Sequence, residues 1–212
     1  MSKAFLSFLI VSSLVFNSCS SVSDADNTEL NNYLIEASSS FNEGEYNKAE
    51  ELFSKVLIID SSNEIALNNQ IITLNKLNKN SEALALSNKA IRFYPSNLKF
   101  KIEKARLLKI ENQNTEAIML YQKILSVATH ESSYHREYLN FLLAIDYKNN
   151  NQIKNYIVKE SIYLLENNFN DKEALIALCT VDKTNLKYSL LLKSKYASEW
   201  DKIYNVNNKG SI

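Results

Sequence analysis

Few residues in this chain carry chemistry, and their spacing decides what they can do. The 212 residues include two histidines, two cysteines and two glycines. Both histidines lie in His130-Glu131-Ser132-Ser133-Tyr134-His135. Zinc binding by a helical His-Glu-x-x-His segment needs histidines four apart, about 40° around a helix; five apart places them about 140° apart, on different faces. With no third histidine to complete a ligand set, the segment predicts no metal site. Gly44 and Gly210 are too isolated to build a phosphate-cradling loop, and no serine or cysteine stands in a nucleophile motif. Paired acids such as Glu50-Glu51 follow helical surface spacing and are expected to be solvated. The expectation is a protein that is not an enzyme and uses no metal or cofactor.

Cys19 has a different chemistry open to it. Met1-Ser2-Lys3 supplies one positive charge, and Ala4 to Phe16 supplies an apolar core interrupted by three serines. That core is shorter than the roughly 20 residues a spanning helix needs, and it matches the apolar region of an export signal. It ends in Phe16-Asn17-Ser18-Cys19, which resembles the lipobox of bacterial lipoproteins, with Phe16-Asn17-Ser18 in place of the usual Leu-Ala-Gly. The resemblance implies a signal peptide over residues 1–18 and lipidation of Cys19 by a diacylglyceryl thioether and an N-acyl chain such as palmitate. Each buried methylene then contributes roughly 0.8 kcal/mol to a stable membrane anchor. Residues 19–28, small and acidic, are expected to form a flexible tether. Serine after the lipidated cysteine implies, by analogy with lipoprotein sorting, the outer membrane with the domain facing the periplasm. Cys179 lies in the apolar run Ala174 to Cys179, where a small buried hydrophobe is the expected role. With Cys19 lipidated, no disulfide can form within the chain.

The elements that must position any site are helical. Only two glycines and one proline occur in the whole chain, and both residue types break regular structure. The 194 residues after Ser18 suffice for one domain with a sizeable core. Stepping 34 residues at a time leads from Ala49 to Ala83 and Ala117, and from Ala37 to Ile71 and Ala105. Val56, Ala90 and Ile124 align in the same way; Phe53, Ser87 and Tyr121 form another column, and Pro95 stands with Ser61 and Thr129. Alanine in such a column lets helix axes approach to about 8–10 Å.

These columns resemble the second-helix half of the tetratricopeptide repeat (TPR), whose pattern runs alanine, then an aromatic, then proline. The stretch Glu43-Gly44-Glu45-Tyr46 through Ala49 to Phe53 carries it best, with glycine at the turn and tyrosine opening the second helix. The resemblance implies an all-α, TPR-type α-solenoid of antiparallel helix pairs with a C-terminal capping helix. Residues 29–131 would hold three units (30–63, 64–97 and 98–131), followed by a divergent fourth pair at 132–167. Capping helices would occupy 168–205, near Lys172 to Cys179 and Asn185 to Tyr204, and a frayed tail 206–212. The residues holding the repeat together would be Ala37, Gly44, Tyr46, Ala49, Phe53, Ala83, Pro95, Ala105, Ala117 and Tyr121.

Net charge is zero, yet residues 20–63 hold nine acids and two bases, whereas residues 64–131 hold six acids and ten bases. The balance gives no reason to expect a nucleic-acid partner. TPR proteins bind peptides along a concave surface of first helices, and that geometry transfers to Leu34, Ser38 and Phe41, then Asn68, Ile72 and Asn75, then Lys99, Ile102, Arg106 and Lys109. The groove would be apolar with an amide ladder and a basic end. A clamp for a C-terminal carboxylate is not expected, because Asn69 and Lys99 match its pattern while Leu34, Ser38 and Glu103 do not. The resemblance thus implies a lipid-anchored scaffold in the cell envelope, acting in envelope assembly or secretion through a protein or peptide partner. The alternative is a ligand-binding or surface-exposed lipoprotein.

Overall fold

The computed structural model describes residues 24–204; Cys19, the expected signal peptide and the tail after residue 204 lie outside them. Among the described residues the chain forms eleven helices and no strand. The first six are α1 (Asp24–Asn42), α2 (Tyr46–Ile59), α3 (Glu64–Lys76), α4 (Asn80–Phe93), α5 (Leu98–Ile110) and α6 (Asn114–Leu125). Then come α7 (Ser132–Ala144), α8 (Asn151–Asn167), α9 (Lys172–Val181), α10 (Leu186–Lys195) and α11 (Ala197–Tyr204). No described helix is long and apolar enough to cross a membrane. The chain divides into two compact units, residues 1–86 and 87–212. In the first, α1, α2 and α3 pack on one another; in the second, each helix from α5 to α11 packs on its sequence neighbour.

The 34-residue period is built into the turns. Helices α2, α4 and α6 open at residues 46, 80 and 114, and α3, α5 and α7 at 64, 98 and 132. The backbone enters the left-handed region at Gly44 (φ 82°), Asn78 (φ 59°) and Asn112 (φ 58°), again 34 apart. The next N–H in each turn reaches five residues back: Glu45 to Ser40 O, Lys79 to Leu74 O and Gln113 to Leu108 O, each at 2.8 Å. This is the Schellman closure, which satisfies a helix-end carbonyl and reverses the chain at one left-handed residue. Asn63 and Asn97 cap the following helices, their side chains accepting from the Ala66 and Lys99 N–H groups at 3.0 and 2.9 Å.

The alanine columns sit where helices touch. Ala37, Ala49, Ala83, Ala105 and Ala117 are wholly buried, as are Ile71 and Phe53. Tyr121 fills the aromatic column of the second unit, stacks on Tyr138 at 5.2 Å and meets Phe141 at a tilt at 5.1 Å. Tyr46 meets Phe41 edge-on at 5.5 Å, and Pro95 lies exposed in the turn between α4 and α5. Cys179 is buried, and desolvation pushes its thiol above the usual range.

Several boundaries differ from those the sequence suggests. Helix α1 already runs from Asp24, five residues into the expected tether, since nothing over 24–28 breaks a helix. The period survives one helix longer than expected, through α7, and slips only at α8, which opens at 151, 37 residues after α6. The expected helix over 185–204 is two helices: Tyr196 leaves helical geometry (φ −140°, ψ 58°), and its N–H closes α10 on Leu192 O. The break turns α11 back, so that Trp200 Nε1 donates to Ser189 Oγ at 3.0 Å. Nor is the outer face of this end wholly polar, because Leu186 and Leu190 stand 75% and 66% exposed.

Candidate interaction faces

In the first unit the expected groove residues divide by burial. Leu34 and Phe41 of α1 pack against the cluster of Leu30, Ala37, Ala49, Leu52, Phe53, Val56 and Ala66, so most of their surface serves the core. Ser38 Oγ donates to Leu34 O at 2.7 Å, back into its own helix. Asn68, Ile72 and Asn75 of α3 follow helical i, i+4, i+7 spacing and are half-buried. Asn68 donates to Asn69 Oδ1 at 3.2 Å, leaving its own carbonyl oxygen and the Asn75 amide to meet a partner. This face offers neutral amides around one isoleucine, which suits the backbone N–H and C=O groups of a peptide.

The second unit corrects the expected basic end. Ile102 is only 7% exposed and belongs to the core, because α5 turns Phe100, Ile102 and Ala105 inward together. Arg106 is not a free cation: Nε and Nη2 donate to the two Glu137 oxygens at 2.7 and 2.9 Å, and Nη1 donates to Glu103 Oε1 at 2.6 Å. The hydrogen bond from Arg106 holds the Glu137 carboxyl below its usual range, whereas burial pushes Glu103 up. Burial also raises the Tyr121 hydroxyl, which donates to Glu137 Oε1 at 3.3 Å. Lys99 stays exposed and Lys109 half-exposed, so these two lysines are the cations this face presents. The sequence held the signal for Glu137, since it stands 34 residues after Glu103 and so brackets Arg106 with a second acid.

The histidines part company for a simpler reason than helical angle. His130 is exposed in the turn before α7, whereas His135 is buried within that helix. His135 Nδ1 lies 2.6 Å from Glu160 Oε2 and Nε2 lies 3.3 Å from Thr129 O, while its ring stacks on Tyr163 at 3.6 Å. Tyr163 also donates to Thr129 O at 3.0 Å, so the group clasps α7, α8 and the turn before α7. Among the described residues, no cluster of His, Cys, Asp or Glu could hold a metal.

Where the period slips, a pocket of about 520 Å³ opens between α6 and the start of α8. Ile118, Met119, Ile145, Ile153 and Tyr156 give it apolar walls, and Asn114, Gln122 and Gln152 line it with amides. Asn114 Oδ1 is buried there without a hydrogen-bond partner, but so is Oδ1 of Asn80, its counterpart 34 residues earlier. The orphaned oxygen is thus a feature of the repeat rather than of the pocket.

The sequence matches no protein-family model and no curated protein. Solved structures do share its fold. MamA from Desulfovibrio magneticus RS-1 aligns over 90% of this chain and 99% of its own, with a TM-score of 0.64 and 11% identity. YrrB, described as a TPR protein with an unusual peptide-binding site, aligns over 87% of this chain and 91% of its own at TM-score 0.61 and 15% identity. PilW, described as a widely conserved type IV pilus biogenesis factor, aligns over 84% of each chain at TM-score 0.61 and 15% identity.

Proposed function

We propose that this chain, an all-α protein with the TPR-type solenoid fold, is a scaffold that holds a peptide or protein partner on its first-helix faces. The observation that carries the reading is the half-buried stripe of Asn68, Ile72 and Asn75, neutral amides around one apolar side chain, set on a rigid helix. Such a surface pairs with an extended backbone and has no groups for bond-making chemistry. The peptide-binding site named for YrrB and the pilus-biogenesis role named for PilW support it by likeness of fold. The lipobox-like Phe16-Asn17-Ser18-Cys19 supports anchoring by lipid, with the domain in the periplasm at the outer membrane and a role in envelope assembly or secretion. A segment that binds the second unit at Lys99 and Lys109 should be neutral or acidic, and no nucleic acid is involved.

Photocrosslinking in intact cells from residues replacing Asn75 and Lys99 tests this, with a third probe at Met119 beside the pocket and a Cys19→Ala control. A protein captured from Asn75 or from Lys99 but not from Met119, and lost with the anchor, is the expected result. Capture at none of the three positions by a folded, lipidated chain would overturn the scaffold. A second reading, small-ligand binding, rests on the pocket between α6 and α8. Native mass spectrometry of the cell-purified protein, showing a bound small molecule that Ile153→Trp excludes, would favour it.

A further inference from the structure

Helix α10 presents a face that the rest of the fold leaves uncovered. Tyr188, Ser189 and Leu192 turn inward, while Leu186 and Leu190, one turn apart, remain 75% and 66% exposed. Phe169, in the turn between α8 and α9, is 48% exposed, and its ring lies 5.8 Å from Lys187 Nζ and 5.9 Å from Lys195 Nζ. These distances place Phe169 near the ammonium groups of two α10 lysines, so the helix and the adjoining turn expose three large apolar side chains among lysines. The helix carries Lys187, Lys193 and Lys195 and no acid. Of the adjoining carboxylates, Asp171 and Glu173 bind Arg136, and Asp182 accepts from the Thr184 hydroxyl. The face is therefore both apolar and lysine-bearing; Arg136 offsets the Asp171 and Glu173 charge only in part, and a neutral hydroxyl leaves the Asp182 charge in place.

We propose that this face rests on a bilayer surface rich in anionic lipid. Leu186, Leu190 and Phe169 project from a helix and a turn rather than line a cleft, which suits a fluid apolar boundary better than a fitted socket. Lysine stems lie along such a boundary while their ammonium groups reach lipid phosphates. Charge complementarity fixes the lipid class, because each lysine near an anionic surface strengthens attachment roughly fivefold. The contact sets the C-terminal end of the chain against the membrane, independently of lipid at Cys19.

An environment-sensitive fluorophore on Leu190→Cys tests this in the full chain carrying Cys19→Ser, with native Cys179 buried. A second probe on Ile58→Cys, 82% exposed in the first unit, reports attachment through other parts. Vesicles of phosphatidylcholine, with or without phosphatidylglycerol, are added. The expected result is blue-shifted emission and quenching by brominated lipid at residue 190 but not at 58, on the anionic vesicles only. Lys187→Gln with Lys195→Gln should shift the embedding equilibrium at residue 190 roughly 25-fold toward water. A probe at 190 that stays in water on both vesicles overturns the proposal, as does equal embedding with and without phosphatidylglycerol. A blue shift without vesicles overturns it as well: one that grows with protein concentration assigns the face to a second copy, and one produced by polyglutamate assigns it to an acidic protein.

Discussion

A single left-handed residue closes the turn between the helices in the first three pairs, and the chain fills these equivalent places with Gly44, Asn78 and Asn112. Glycine enters that region freely, and asparagine enters it more readily than other side chains. A Cβ added at Gly44 meets nothing within 4 Å, so only backbone strain opposes substitution there. Gly44→Ala should therefore lower unfolding stability by about 1 kcal/mol, read from the urea midpoint, while Asn112→Gly should change it by less than about 0.5 kcal/mol. Arg106 supports a second expectation. Glu137 is held low by Arg106, so its stabilisation is full above the ordinary carboxylate range and is lost as pH falls through the depressed value. Arg106→Gln should cost about 1 kcal/mol near neutral pH, because the pair is part-exposed, and should flatten the acid limb of the stability curve. Carbon-detected NMR titration should show Glu137 rising, and Glu103 rising further from its already raised value, since Arg106 opposes that rise. Arg106→Glu would instead gather three carboxylates, confusing lost folding with lost binding.

Between helices, the deciding quantity is the space left by alanine. Ala49, Ala83 and Ala117 have no exposed surface, so a larger residue there must force two backbones apart. Ala83→Arg should destabilise by at least about 3 kcal/mol, combining overpacking with an unpaired buried charge, whereas Ala83→Gly should cost about 2 kcal/mol through helix propensity and the lost buried methyl. Circular dichroism melts of the two variants separate these mechanisms. The alanine columns were readable in the sequence because a close helix crossing tolerates few other residues. The split at Tyr196 was not, since residues 185–204 contain neither glycine nor proline and the break depends on Trp200 reaching Ser189 across the turn. The start of α1 is illegible for the complementary reason: polar composition points to a tether, but no residue over 24–28 prevents a helix.

For the molecule as a whole, the helix-pair plan was legible and the interaction surface only partly so. Periodicity reports which residues face inward or outward, but not which outward charges have already found one another. Thus Asn68, Ile72 and Asn75 lie half-buried on α3, while Arg106 is committed to Glu103 and Glu137, and Ile102 to the core. The slip at α8 has a consequence for how the protein can change length. Every helix start from 46 to 132 repeats on a 34-residue ruler, so a duplicated copy of residues 64–97 placed after Asn97 keeps that ruler. That insertion should fold, with the same mean residue helicity and a higher urea midpoint, because each added unit contributes another interface. A duplicated 34-residue copy ending at residue 167 meets α9 out of phase and should lower the midpoint instead. The array is open to lengthening by gene duplication on one side of residue 145 and closed to it on the other.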